Sequence, residues 1–344
     1  MGLNMNLEGP NAVVCGAGGF IGGHLVKYLL ARGVRVIRAV DIKPLNEWYQ
    51  IADGVENVSL DLKDPHNCVT ATSDADHVFQ LAADMGGMGF IERNRALCML
   101  NVLINAHMLL AARECSVEQF FFSSSACVYN LAKQSSSFAV PLREEDAYPA
   151  MPEDGYGWEK LFSERMCRNF EEDFGLKCRV ARFHNVYGPL GTWRGGREKA
   201  PAAICRKVIE AKLSGNRSIE IWGDGSQTRS FMYIDDCIAG TLAIAASNMT
   251  EPVNLGSSEL VTIDQLVSMA ESFAGVHLKR RYNLQAPKGV SGRNSDNTRI
   301  LQLLHWEPSF PLLNGLKITY DWIDQEMRRG VISGREMALR YAVI

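Results

Sequence analysis

The chain has 344 residues, 47% of them apolar, enough for two domains or for one large domain with an inserted lobe. Its net charge of −3 is spread without long runs, so no basic face for nucleic acid is expected. The 9 cysteines are scattered without a CxxC pair, so disulfides and a metal site are not expected, and a reducing, cytoplasmic compartment fits.

The first ten residues lack the basic and apolar features of a secretory signal, and Asn6 stands where a myristoylated Gly2 would need Ser or Thr. No run of 18 apolar residues is present, so no membrane span or membrane partner is expected.

The rest of the chain is organised around residues 11–41. An apolar run, Ala12 to Cys15, leads into Gly16, Gly19 and Gly22, and Phe20, Leu25, Leu29 and Leu30 then recur on one side of a helix. A second apolar run, Val34 to Val40, ends at Asp41. Strand, glycine-rich turn, helix and strand in this order make a dinucleotide site. Gly16 permits the tight turn, Gly19 lets backbone approach a pyrophosphate, and Gly22 lets helix and strand pack closely. Phe20, Ile21 and Gly22 open the helix, whose free N–H groups and positive dipole end suit phosphate. Asp41 is placed to accept from a ribose diol and to repel a 2′-phosphate, which favours NAD over NADP; Lys43 softens that preference.

Residues 57–62 read as a short strand, with Asp61 facing the adenine edge or merely capping the helix after it. Residues 77–83 form the next strand and carry Ala82 toward the cofactor. Residues 84–91, with Met85, Gly86 and Gly87, make a poor helix and a good ligand loop. A long amphipathic helix spans 96–113; its Asn101 and Asn105 are either buried amide contacts or plain polar positions. Residues 119–124 are a buried strand. Ser125 to Val128 lie just past it, and 130–155 are loop-like with three prolines. Helical character returns at Tyr156, and 177–183 are a strand. The alternation predicts six parallel strands in an open α/β sheet of the Rossmann type.

The second half changes character. Residues 184–201 are rich in glycine and basic residues. A helix at 202–212, a strand at 217–222 and a turn at 223–230 come next. Then come a helix at 235–246, a short strand at 253–255, a helix at 263–274, a strand at 278–282 and a polar loop at 289–297. The remainder is helical, with Trp322 as a packing anchor, and its last fifteen or so residues are either a fraying helix or a surface tail. The predicted organisation is a dinucleotide-binding domain over 1–184, with a return segment at 230–256. A smaller mixed α/β substrate domain covers 185–229 and 257–344.

Ser125, Cys127, Tyr156 and Lys160 converge by topology at the strand ends. Tyr156 and Lys160 share a helix face. A neighbouring ammonium favours the phenolate, so Tyr156 can accept a proton from a sugar hydroxyl as the cofactor oxidises its carbon. Lys160 assists and holds the nicotinamide ribose, and Ser125 bonds the same sugar oxygen.

These residues, with Gly16–Gly22 and Asp61, resemble the extended short-chain dehydrogenase/reductase superfamily. Within it the chain is most similar to the GDP-mannose 3,5-epimerases. The likeness lies in LAADMGGMGFI (81–91), SSACVY (124–129), RFHNVYGPLGTWRGGREKAPAA (182–203), GDGSQTRSF (223–231) and GRNSDN (292–297), within residues 10–328. It departs at Asn130, where a proline is familiar. The resemblance implies bound NAD, a GDP-hexose substrate and a homodimer. It also implies oxidation at C4, inversion at C3 and C5, and reduction again, giving GDP-L-galactose and GDP-L-gulose. It makes Tyr156 the redox base with Lys160 its helper, Ser125 a sugar ligand, Cys127 the epimerisation base and Lys199 the acid. Met85, Gly86, Gly87, Asn185 and Arg293 match substrate-contacting regions, with Lys207 and Arg229 toward the diphosphate or guanosine.

The residues support that chemistry on their own terms. A 4-ketone acidifies the hydrogens at C3 and C5, and inversion needs one group to remove a proton and another to return one on the opposite face. Cys127 can become a thiolate beside a cation, and Lys199 is such a cation. Arg197, Arg206 and Arg229 suit a diphosphate as forked donors. A 4-epimerase needs no such pair, a 4,6-dehydratase wants a carboxylate near the serine, and an NAD sensor has no use for all four groups.

Overall fold

The computed structural model describes the backbone of residues 11–341 and, Ile37 apart, the side chains of residues 11–330. The readings of the first ten residues lie outside the described residues. The strands in chain order are β1 (Asn11–Cys15), β2 (Arg35–Asp41), β3 (Glu56–Ser59), β4 (His77–Gln80), β5 (Gln119–Ser125), β6 (Lys177–Phe183) and β7 (Val186–Tyr187). After these come β8 (Ser218–Trp222), β9 (Thr228–Ser230), β10 (Met232–Tyr233), β11 (Val253–Leu255), β12 (Leu260–Thr262), β13 (Lys279–Asn283) and β14 (Gly292–Arg293). The helices are α1 (Phe20–Ala31), α2 (Pro65–Thr72), α3 (Met88–Ile91), α4 (Arg95–Met99), α5 (Asn101–Glu114) and α6 (Asp154–Phe174). The second half adds α7 (Ala200–Ser214), α8 (Ile234–Ala245), α9 (Ile263–Ala274), α10 (Thr298–Leu304) and α11 (Leu312–Tyr341).

The main sheet has 7 strands in the order β11-β6-β5-β4-β1-β2-β3 and is parallel throughout. It gains one strand over the sequence reading, because β11 returns to lie beside β6. Its central strands are apolar runs because helices cover both faces. Alternate residues serve opposite sides. Val14 and Phe121 join the core beneath α1 and α8, whereas Val13, Phe120 and Phe122 join the core beneath α2, α5 and α6. The strand order reverses at β1, where the chain crosses from one direction of winding to the other, and the carboxyl ends of β1 and β4 open a crevice.

The smaller part packs α7, α9 and α11 on one another, and Pro201 and Ala202 of α7 with Thr319 of α11 line the crevice. Two stretches read as irregular contain strands. The 223–230 turn holds β9 and the 289–297 loop holds β14, and these pair in parallel while β12 runs antiparallel to β9. The strand at 278–282 appears as β13, paired with β8. The 84–91 loop contains the single turn α3, the helix of 96–113 is divided at Leu100, and α6 starts at Asp154 rather than Tyr156. The run Arg95–Glu114 has the length and hydropathy of a membrane span. Here it carries Asn101 and Asn105 into the interior, where both are bonded to protein. Trp322 is half-buried against the core and meets Tyr49 edge to face, and α11 continues to Tyr341.

Candidate active site

Two cavities lie at the strand ends. The first is a groove of about 460 Å³ lined by Gly16, Gly19, Phe20, Ile21, Gly22, Asp41, Asp61, Ala82, Tyr156 and Lys160, every residue read from the sequence as cofactor-binding. Gly16 turns the chain at φ +83°, and a Cβ on Gly22 would stand 2.2 Å from the Gly16 carbonyl oxygen. Glycine at both positions lets β1 pass directly into α1. Gly19 caps α1 without a side-chain bond, so the first N–H groups of the helix face the groove unobstructed. At the far end Asp41 Oδ1 accepts from the Lys43 N–H at 3.0 Å, and Lys43 Nζ donates to the Gly18 carbonyl at 3.2 Å. Asp61 likewise accepts from Lys63 N–H at 2.9 Å. Phosphate-facing backbone at one point and a buried carboxylate at the end of the next strand fit a dinucleotide.

The second cavity is a cleft of about 270 Å³ between the sheet ends and the smaller part. It is lined by Met85, Gly86, Gly87, Ser125, Cys127, Asn185, Lys199, Lys207, Arg229 and Arg293, which include every residue read as substrate-binding. Asn185 holds φ +43° and donates from Nδ2 to the Ser230 carbonyl at 3.0 Å, tying the end of β6 to β9. Lys207 Nζ donates to the Glu220 carbonyl at 2.9 Å and lies 5.7 Å over the Trp222 ring. The groove and the cleft share Met85, Gly86, Ser125, Tyr156, Phe183 and Lys199, so the two meet where redox chemistry was expected.

At that junction Tyr156 and Lys160 sit one turn apart on α6, both buried. Lys160 Nζ donates to the Ser123 carbonyl at 3.0 Å and lies over the rings of Phe122 at 4.6 Å and Tyr156 at 5.6 Å. The expectation that Lys160 lowers the tyrosine's pKa is corrected. Burial, then the neighbouring Cys127 and Glu159, push the phenol well above its ordinary value, and the opposing bond comes from Ser125. The ammonium approaches the ring while its bond goes to backbone.

Cys127 lies in the short turn after β5. Its expected ionisation beside Lys199 is also corrected. Burial and then Glu153 push the thiol up to about 11, against the pull of Arg293, whose Nη1 donates to Sγ at 3.7 Å. Lys199 is partly open to the cleft, yet burial lowers its ammonium below the ordinary lysine range, against the field of Cys127. Burial lowers Lys207 as well and takes Arg229 down to about 10.

Two further arginines are placed differently from their sequence reading. Arg197 lines the groove, not the cleft, stacking 3.9 Å over Phe90 and lying 3.7 Å from Asp84. Arg206 lines the cleft but is forked onto Glu198 at 3.0 Å and Glu210 at 2.9 Å. Glu153 and Gln134, which hold Arg293, were missed: a glutamate ahead of a helix reads as an ordinary partner of its dipole. The open question of the two asparagines is answered as buried contacts. Asn101 bridges both backbone groups of Asp84, and Asn105 bonds Gln80, Glu159 and Ser163.

Comparison with known proteins adds independent ground. A family model described as the NAD dependent epimerase/dehydratase family matches residues 12–256. The chain is 46% identical over 327 residues to "GDP-mannose 3,5-epimerase" of Arabidopsis thaliana, covering 95% of this chain and 85% of that one. Among solved structures it is similar to UDP-glucose 4-epimerase from Thermotoga maritima, with a TM-score of 0.82 and 25% identity over 92% of this chain and 99% of that one. It is also similar to UDP-glucuronic acid 4-epimerase from Bacillus cereus, solved with UDP-glucuronic acid and NAD, with a TM-score of 0.77 and 26% identity over 92% and 99%.

Proposed function

The chain belongs to the NAD-dependent epimerase/dehydratase family, and we propose that it epimerises GDP-mannose at C3 and C5 through a 4-keto sugar. The products are GDP-L-galactose and, by inversion at C5 alone, GDP-L-gulose. The observation that carries this reading is the junction: a dinucleotide groove and a cation-lined cleft meet at Ser125, Tyr156 and Lys199, with Cys127 on the cleft side.

Bound NAD supplies the two-electron acceptor that oxidises C4 and later reduces it again. The rest falls to the chain. Tyr156, ionised when the positive charge of the oxidised nicotinamide lies beside it, accepts the proton of the C4 hydroxyl, and Ser125 bonds the same oxygen. Lys160, anchored on Ser123, holds the nicotinamide ribose. With C4 a ketone, the fraction of Cys127 present as thiolate removes the proton at C5 or C3, and that fraction grows as pH rises. Lys199 returns a proton from its ammonium to the opposite face, its lowered affinity for that proton making it the better acid. Lys207 and Arg229 face the diphosphate, Arg293 and Asn185 the sugar, and Met85, Gly86 and Gly87 the wall beneath it. Asp41 receives the adenosine ribose and Asp61 the adenine edge. Residues 1–184 with 230–256 form the cofactor unit, and 185–229 with 257–344 the sugar-nucleotide unit.

Supplying GDP-mannose to the purified protein in D2O tests the reading. Deuterium at C3 and C5, read by NMR, is expected. A change of configuration at C4 without solvent deuterium would instead make it a 4-epimerase. No isotope and no turnover would leave an NAD-binding protein.

The working unit is a homodimer in this reading. Leu103 and Leu110 on α5, with Trp158 and Phe162 on the adjoining α6, present an exposed apolar face of 40–56% relative exposure that a second copy would cover. Light scattering tests it. The free thiols suit a reducing compartment, the cytoplasm.

A further inference from the structure

Glu153 takes no part in that reaction. It precedes α6, is 6% exposed and lines neither cavity. Its N–H donates to the Cys127 carbonyl at 2.8 Å, which fixes it behind the cysteine. Its carboxylate accepts from Arg293 Nη2 at 2.7 Å. The same guanidinium gives Nε to Gln134 Oε1 at 2.6 Å and turns Nη1 toward Cys127 Sγ at 3.7 Å. One cation therefore serves a carboxylate at short range and a thiol at long range, and the carboxylate also acts on the thiol directly, by its charge and as the acceptor of the thiol's hydrogen bond. The carboxylate's negative charge offsets the guanidinium's positive field at the thiol.

We propose that Glu153 is a positioning residue: by holding Arg293 and by facing the thiol itself, its carboxylate decides whether Cys127 rests as thiol or thiolate. The consequence for turnover rests on Cys127 being the epimerisation base; the effect on the thiol does not. The groups facing Sγ come from every side. Glu153 stands ahead of α6, Tyr156 is on α6, Ser125 ends β5, Arg293 is on β14, Lys199 stands ahead of α7, and Arg229 lies behind on β9. After burial, Glu153 is the strongest influence on the thiol, and Arg293 is the strongest opposing it. Burial disfavours the Glu153 carboxylate too, but the charge and hydrogen bond of Arg293, with the bond from Cys127 and the charge of Arg229, together hold it below the usual range. The pair is thus an ionised carboxylate and a protonated thiol. A cysteine so held resists oxidation and alkylation at rest, and its work as a base increases as pH rises toward its ionisation.

Glu153→Gln keeps an oxygen for Arg293 and removes the charge. In NAD-loaded protein, the rate of Cys127 alkylation by iodoacetamide is followed against pH by mass spectrometry of its own peptide, so that the other cysteines do not interfere. The midpoint is expected to fall by at least about one pH unit, and the pH at which solvent deuterium enters C3 and C5 should fall with it. Glu153→Asp, which keeps the charge, should stay within about half a unit of wild type. Gln134→Glu puts a second carboxylate on the same guanidinium and should raise the midpoint. An unmoved or raised midpoint in E153Q overturns the proposal. Should E153Q not fold, an unmoved midpoint in Q134E overturns it equally. A lowered midpoint with an unmoved exchange profile supports Glu153's hold on the thiol and counts instead against Cys127 as the base.

Discussion

The groove and the cleft meet at one wall but are made by different means. The groove takes its recognition from neighbours in sequence: the α1 N–H groups, the glycine turn and one carboxylate at the end of β2. Its charges are matched locally, as in Lys63 to Asp84 at 3.1 Å. The cleft gathers Cys127 from just past β5, Lys199 from just ahead of α7, Lys207 from the middle of α7, Arg229 from β9 and Arg293 from β14. It crowds them until burial lowers three cations and raises a thiol. Where backbone dipoles meet phosphates, no buried cation need face them. Where protons must move, charges are held in environments that disfavour them.

That contrast can be broken by substitution. The largest effect is expected at the shared wall: Tyr156→Phe removes the proton acceptor and keeps the ring, and C4 oxidation should fall on the order of 10²–10⁴-fold. NAD affinity, from equilibrium binding, should change by only a few-fold. Normal turnover in Y156F would remove Tyr156 from the chemistry.

Cys127→Ser comes next and should separate the half-reactions. Deuterium uptake at C3 and C5 is expected to slow about 10²-fold or more, because a hydroxyl is a far weaker acid than a thiol. Transient NADH absorbance should persist. Loss of NAD binding in C127S would make the cysteine structural and erase the distinction between the cavities.

A third change belongs to the groove alone. Gly22→Ala places a methyl against the Gly16 carbonyl, 2.2 Å away before relaxation. The strain of about 1–3 kcal/mol should weaken NAD by roughly 5–150-fold and leave the rate at saturating NAD near wild type. An unchanged affinity would mean that α1 can shift freely.

The smallest effect is expected at Asp41. Asp41→Asn should reduce the preference for NAD over NADP by about tenfold, measured as a ratio of affinities. A wild-type preference for NADP would contradict the ribose role of Asp41.

The groove was legible in the sequence for the reason it is simple. Gly16, Gly19, Gly22 and Asp41 lie within one strand–helix–strand unit whose spacing is fixed by its own geometry. The cleft was legible from the residues at Ser125, Cys127 and the 84–91 loop, and at Asn185, Lys207 and Arg293 only by resemblance. Its β9 and β14 have 3 and 2 residues, too few to show a period, and exist because distant segments pair. Glu153 looked like any acid before a helix until β14 brought Arg293 to it. Arg197 and Arg206 carried the right charge for a diphosphate, but Phe90 and Glu198 claim their side chains, and composition does not record such claims. Lys160 kept its predicted place; the Ser123 carbonyl, not the phenol, takes its hydrogen bond.

Six residues belong to both cavities: Met85, Gly86, Ser125, Tyr156, Phe183 and Lys199. Each answers to two ligands at once, so a change that suits a new sugar at any of them is also a change to the cofactor's seat. Trp222, Lys207 and Pro287 line the cleft alone. The protein therefore has a fixed side and a free side. Divergence toward other nucleotide sugars has room on the free side, and the shared wall is where lineages that keep the same oxidation step should change least.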